Sequence, residues 1–127
     1  MIYDENIIKA VDNSLENVNF FDVALVVYEL YKTSFVVTNI KNKVWFCFKD
    51  HKWIKSELGP YIELSSVIYE LYKSYNLHLR KTNMSKKNSH RINNCEKVLT
   101  LIVDATMKEA ICKECLYIFY DQCFINR

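Results

Sequence analysis

The feature that most restricts the fold of this chain is its scarcity of glycine and proline. Among 127 residues there is one of each, and Gly59 and Pro60 are adjacent. Because glycine is the residue that most readily adopts a left-handed backbone, such a chain has few tight turns and little scope for a glycine-built phosphate loop. The P-loop and the dinucleotide-binding fingerprint both need more than one glycine, so both are excluded.

Hydrophobic periodicity predicts an α+β fold with three main helices and a small three-stranded antiparallel β-meander, with a winged-helix-like arrangement as the alternative. We expect one domain over residues 1–127, because this length is typical of a single domain. A fainter amphipathic pattern predicts a further helix around Asn6 to Leu15. The main elements are expected, in order, as a helix over about 19–32, the meander over about 35–56, a helix over about 61–79, a basic loop over about 80–92 and a helix over about 94–121.

The predicted meander combines lysines with aromatic residues. Its strands are expected at 35–40, 44–48 and 52–55, with turns at 41–43, where Asn42 tolerates a left-handed backbone, and at 50–51. Residues 41–55 contain five lysines and one aspartate, a net charge of +4. We expect Trp45 and Trp53 to lie near each other on one face of the meander.

This pattern suits nucleic acid, because lysine contacts release counterions from phosphates and an exposed indole stacks on a base. A second basic block, residues 78–91, has five lysines and arginines and no acid, and is predicted to be a mobile arm that grips phosphate. A strand pair with inward aromatics and solvated lysines, beside a solvated linker, would give the same pattern. The candidate nucleic-acid-binding residues are Lys41, Lys43, Trp45, Lys49, Lys52, Trp53, Lys55, Arg80, Lys81, Lys86, Lys87 and Arg91.

No catalytic residue, metal ligand or cofactor site is predicted. Cys112 and Cys115 form a C-x-x-C pair, but it falls inside a predicted helix without a second ligand pair, and buried cysteine often packs as a small hydrophobe. His51 follows Asp50, yet spacing ties no nucleophile or second carboxylate to it. We therefore expect a protein that is not an enzyme by itself.

Cysteine usage and hydropathy predict an intracellular protein. The five cysteines are an odd number, which favours reduced thiols. No segment approaches the roughly 20 apolar residues of a membrane-spanning helix, and the acidic N-terminus lacks a signal-peptide pattern. No membrane partner is expected.

Several short motifs occur along the chain in this order: Val26–Tyr31, Phe35–Val36, Ile40–Asn42, Trp45–Trp53 and Gly59, followed by Ile111, Glu114–Cys115, Phe119–Asp121 and Phe124. In this order they resemble the region that precedes the helicase in poxvirus-type helicase-primases of nucleocytoplasmic large DNA viruses. The shared order is a helix, a strand, an Ile-Lys-Asn turn, a Trp-aromatic strand and a His-basic-Trp element. The final helix is also similar to the last helix before the superfamily 3 ATPase module of that family.

This resemblance implies an auxiliary, non-catalytic role beside a DNA-unwinding motor, since the region links a primase to a ring-forming helicase in those proteins. The implied partners are single- or double-stranded DNA, viral replication proteins or a second copy of the chain. The implied location is the host cytoplasm, in a viral replication compartment, or the virion. The alternative is a viral structural or protein-interaction domain that binds no nucleic acid and packs through exposed Tyr and Phe.

Overall fold

The computed structural model describes residues 3–82 and 84–124 and confirms the α+β fold. Five of the helices in the described ranges have ten residues or more, and one is a single turn. The elements are α1 (Glu5–Ser14), α2 (Phe20–Tyr31), β1 (Phe35–Asn39), β2 (Val44–Lys49), β3 (Lys52–Ser56), α3 (Tyr61–Leu64), α4 (Val67–Lys81), α5 (Lys86–Leu101) and α6 (Ala105–Ile118).

Four helices begin at a side chain that accepts a hydrogen bond from a free backbone N–H group. Asp4 caps α1 and Asn19 caps α2, at N···O distances of 2.7 and 2.8 Å. Ser85 caps α5 and Asp104 caps α6, at 3.1 and 3.0 Å. Each cap satisfies a donor that a helix leaves unpaired, which fixes where these helices start.

The predicted basic loop over 80–92 is wrong, because most of it is helical. Arg80 and Lys81 end α4, and α5 begins at Lys86. A hydrogen bond links the two helices across their short connection: the side-chain amide of Asn88 donates to the Thr82 hydroxyl at 2.6 Å. Hydrophobic periodicity did not indicate the start of α5, because the first turns of this helix have few apolar side chains.

The predicted helices over 61–79 and 94–121 are each divided in two. Tyr61–Leu64 forms the separate turn α3 before α4. The later stretch breaks at Val103 and Asp104, because Asp104 caps a new helix instead of continuing the old one.

The sheet has the order β1-β2-β3 with antiparallel pairing throughout, as predicted for the meander. Asp50 and His51, with φ of 53° and 65°, form the two-residue turn between β2 and β3. In the first turn it is Lys43, not Asn42, that takes the left-handed backbone, with φ of 53°.

Helix α2, which leads into the sheet, buries one side only. Val23, Ala24, Val26 and Val27 are fully buried, whereas Phe21 is 49% exposed. The winged-helix-like arrangement stays a prediction.

The hydrophobic core joins α2 to α6 and to one face of the sheet. Trp45 packs there between the rings of Phe35 and Phe119, with centroid distances of 5.9 and 5.4 Å. After α6 the chain lies beside β1, where the Val37 amide donates to the Phe119 carbonyl and the Asp121 amide donates to the Val37 carbonyl, both at 3.0 Å. No helix within the described ranges has the length and apolar character needed to cross a bilayer.

Helices α4 and α5 form an antiparallel hairpin that packs on α1. The Cys95 thiol donates to the Tyr72 carbonyl at 3.2 Å near the base of this hairpin. The buried Tyr72 hydroxyl shares a 2.7 Å hydrogen bond with Ser14, and Asn94 donates to the Leu15 carbonyl at 2.8 Å. These bonds hold the N-terminal helix against the C-terminal half of the chain.

Candidate nucleic-acid interface

Strand register divides the side chains of the sheet between two faces. Phe46 pairs with Lys55 and Phe48 pairs with Trp53, so these four residues share one face. Trp45 pairs with Ser56 and points to the opposite face, toward the core. We call the face with Phe46, Phe48, Trp53 and Lys55 the outer face, and the face with Trp45 the inner face.

The expected placement of both tryptophans on one face is therefore wrong. Trp45 is only 4% exposed, and its ring is covered by Phe35 and Phe119. It braces the sheet from within and has no free ring face for a base. Of the two predicted stacking residues, Trp53 alone remains a candidate, with 37% exposure.

Aromatic rings cover much of the outer face. The Phe48 and Trp53 ring centroids lie 5.3 Å apart, and Phe48 is 47% exposed. Phe124 lies beside them: its ring is 5.0 Å from that of Trp53 and 5.9 Å from that of Phe46. Large exposed rings at this spacing are costly in water unless a partner covers them, which makes this face a candidate binding surface.

A groove of about 770 Å³ runs from the outer face over the edge of β1. We call it the outer-face groove. Lys32 and Asp121 supply charges to it, of opposite sign. The Lys32 ammonium donates to Glu29 at 3.0 Å, so that cation is partly compensated. The aromatic residues of the groove include Tyr28, Phe46, Trp53, Tyr120 and Phe124.

The meander lysines do not form the single patch that their closeness in sequence suggests. Lys41 and Lys43 lie at the β1–β2 turn, whereas Lys49 and Lys52 flank the β2–β3 turn at the other end of the sheet. Lys55 lies between them on the outer face. All five are exposed, and none forms an ion pair with a described residue.

The second basic block lies at the free end of the α4–α5 hairpin. Arg80 is paired with Glu96, and Arg91 lies 3.7 Å from the Asp12 carboxylate, so these two cations are partly neutralised. Three cations of the block, Lys81, Lys86 and Lys87, are exposed and form no ion pair with the described part of the chain. The segment predicted as a mobile arm thus forms the end of α4 and the start of α5, with exposed lysines on both helices.

Of the cysteine pair, Cys115 is fully buried and Cys112 is partly buried. Cys112 and Cys115 lie on α6, and burial raises the pKa of the Cys112 thiol to about 12 and that of Cys115 still further. A thiol with a raised pKa is a poorer nucleophile near neutral pH, because the thiolate is the reactive form. Over residues 3–82 and 84–124, no group of three or more His, Cys, Asp or Glu side chains is arranged to hold a metal ion.

Fold and surface together describe an α+β domain with two separate groups of uncompensated cations and an exposed aromatic face. No model of a protein family matches the chain. It is similar to a protein of Acanthamoeba polyphaga mimivirus named "Putative helicase", with 26% identity over 112 residues. The match covers 82% of this chain but 12% of the mimivirus protein, so the chain corresponds to a small part of that relative's length.

Proposed function

We propose that this chain is a non-catalytic, nucleic-acid-binding module of the kind that precedes the motor in viral helicase-primases. It acts during viral DNA replication in the host cytoplasm, holding DNA near a motor or helping to assemble one. The proposal concerns binding alone, because the described residues offer no arrangement of nucleophile and base that suggests a reaction.

The observation that carries this proposal is the concentration of exposed cations in two stretches of the chain, residues 41–55 and 78–91, in which Asp50 is the single acid. Eight lysines of the two basic blocks have no ion pair with a described residue: Lys41, Lys43, Lys49, Lys52, Lys55, Lys81, Lys86 and Lys87. Lysines that only solvate a surface are usually interspersed with acids. Unpaired lysines on rigid elements favour a polyanion, since counterion release then supplies binding free energy.

The similarity to the mimivirus protein supports the same proposed function. The matched part is a minor fraction of a protein named for a helicase, and the chain contains no P-loop. A segment that accompanies a motor without containing its ATP site fits an auxiliary DNA-handling role.

The test is fluorescence anisotropy of the purified chain with labelled single- and double-stranded DNA at two salt concentrations. We expect binding at low salt that weakens as salt rises, with a slope that counts the phosphates contacted. Replacing Lys49, Lys52 and Lys55 by glutamine should reduce both the affinity and the slope. The matched control replaces Lys9, Lys97 and Lys113, which are exposed on α1, α5 and α6, and should leave the slope nearly unchanged.

If the chain binds neither form of DNA at low salt, the proposal is wrong. A second candidate function, protein interaction within a viral assembly, would then take its place. Leu58 and Ile62, 52% and 59% exposed beside α3, favour that alternative. It predicts that the chain self-associates or binds a viral protein, and that Ile62→Glu abolishes the association.

A further inference from the structure

We propose that the outer face and its groove bind unpaired bases, so that the preferred ligand is a single-stranded nucleic acid. This inference rests on the proposed function but goes further, because phosphate contacts alone would hold a duplex equally well. The residues that carry it are Phe48 and Trp53, with Lys55 and Lys32 at the two sides of the aromatic surface.

The first observation is the exposed pair of rings on the last two strands. Phe48 and Trp53 lie directly opposite each other, with a centroid distance of 5.3 Å and an angle of 61° between the ring planes. Their exposures of 47% and 37% leave ring surface open to solvent. A base presents a flat face of similar size and polarity, and stacking of this kind tolerates any base.

The second observation is that the groove already accepts a planar ring. Phe124 lies against Trp53 edge to face, at 83°, and is tilted by 33° against Phe46. This ring forms one wall of the groove and shows that the floor offers aromatic contacts to a flat group. Phe124 does not contact the ring of Phe48 in this arrangement, so the Phe48 side of Trp53 is available to a ligand.

The third observation is where the cations lie around this surface. Lys55 is opposite Phe46 in the register and emerges on the outer face from β3. Lys32 lies beyond β1, on the far side of the groove. A single strand that places bases on the central rings would bring its phosphates toward these margins. Lys55 attracts them there, and Lys32 does so in competition with its ion pair to Glu29. Asp121 is a carboxylate of the same groove and would face the strand on its β1 side.

A duplex does not fit this surface in the same way. Its bases are stacked on one another and show only their edges in the grooves, so the rings of Phe48 and Trp53 would find no base face to cover. Duplex DNA would then be held by lysine contacts alone. The geometry therefore predicts a preference for unpaired strands.

The deciding experiment compares two labelled strands of about 12 nucleotides, an oligothymidylate and an abasic strand of equal length, with the unaltered chain and with Trp53→Ala. We expect Trp53→Ala to weaken oligothymidylate binding by about 5- to 150-fold, the range measured for loss of one stacked base. Removing the bases should weaken binding by a similar factor. Trp53→Ala should then have little further effect on the abasic strand, because the contact it removes is already absent.

Conservative and matched variants separate stacking from structural damage. Trp53→Phe keeps an aromatic ring and should restore most of the affinity, whereas Phe48→Ala should resemble Trp53→Ala. Tyr117→Ala removes an exposed ring from α6, 64% exposed and outside the sheet, and should leave binding unchanged. The salt slope should be preserved in Trp53→Ala, because no phosphate contact is lost.

Two results would overturn this inference while leaving the proposed function intact. One is equal affinity for duplex and single strand. The other is an equal loss from Trp53→Ala on the oligothymidylate and on the abasic strand. If instead none of these strands binds at low salt, the proposed function itself fails, and the aromatic face becomes a surface for a protein.

Discussion

The two faces of the small sheet use the same residue type in opposite ways. On the inner face, Trp45 is 4% exposed, and its indole ring contacts Gly59 and the rings of Phe35 and Phe119. On the outer face, Trp53 is 37% exposed and contacts the rings of Phe48 and Phe124. The difference shows that strand parity and register, not residue type, decide whether an aromatic side chain stabilises the domain or remains available to a ligand.

The largest expected effect is on the inner face. Trp45→Ala should lower the free energy of unfolding by about 3–5 kcal/mol, because a large buried side chain is removed and its cavity cannot fully collapse. Chemical denaturation followed by circular dichroism measures this loss. A loss below about 1 kcal/mol would mean that the inner face is not part of the core.

The next effect concerns the close approach of Gly59 to the same indole. A Cβ at this position would lie 2.6 Å from two ring carbons of Trp45, and the backbone φ of +57° disfavours any other residue. We expect Gly59→Ala to cost about 2–4 kcal/mol, from overpacking together with backbone strain. In the Trp45→Ala background the clash is gone, so the same substitution should cost clearly less. Equal costs in both backgrounds would show that the two residues are not coupled.

On the outer face, Trp53→Ala should change stability much less. The side chain loses aromatic contacts with Phe48 and Phe124 but leaves no buried cavity, so we expect a loss of about 0.5–1.5 kcal/mol. The same denaturation experiment measures it. A loss as large as that of Trp45→Ala would erase the distinction between the two faces.

The smallest effect is spectroscopic and needs no loss of stability. Iodide should quench the fluorescence of Trp53 and leave that of Trp45 nearly untouched, because only the outer-face indole contacts solvent. Comparing the unaltered chain with Trp53→Phe isolates the signal of Trp45. Strong quenching in Trp53→Phe would place Trp45 at the surface.

Much of the fold follows from the sequence, and the errors have local causes. The β-branched and aromatic strands, the helix expected over about 19–32 and the α+β class were all predicted correctly. The first half of α5 was missed because its first turns are basic and polar, although Ser85 has the spacing of an N-cap to Asn88. The break at Asp104 was missed because apolar residues continue on both sides of it, and a cap inside such a pattern is easily overlooked.

The candidate site was only partly visible in the sequence. A two-residue turn at Asp50 and His51 pairs Phe48 with Trp53 and puts Trp45 on the other face, so parity alone could have separated the tryptophans. Lys32 and Phe124 could not be found in this way. They reach the outer-face groove through tertiary packing, from the end of α2 and from the segment after α6.

The attachment of the chain after α6 to the edge of β1 has a consequence for synthesis on the ribosome. Val37 receives its partners, Phe119 and Asp121, more than eighty positions later in the chain. Likewise, Ser14 meets Tyr72 and Leu15 meets Asn94 only after most of the polypeptide exists. At roughly 5–20 residues per second, the early helices wait several seconds for these contacts. The nascent chain therefore exposes the apolar side of α2 during that interval, when a chaperone can bind it.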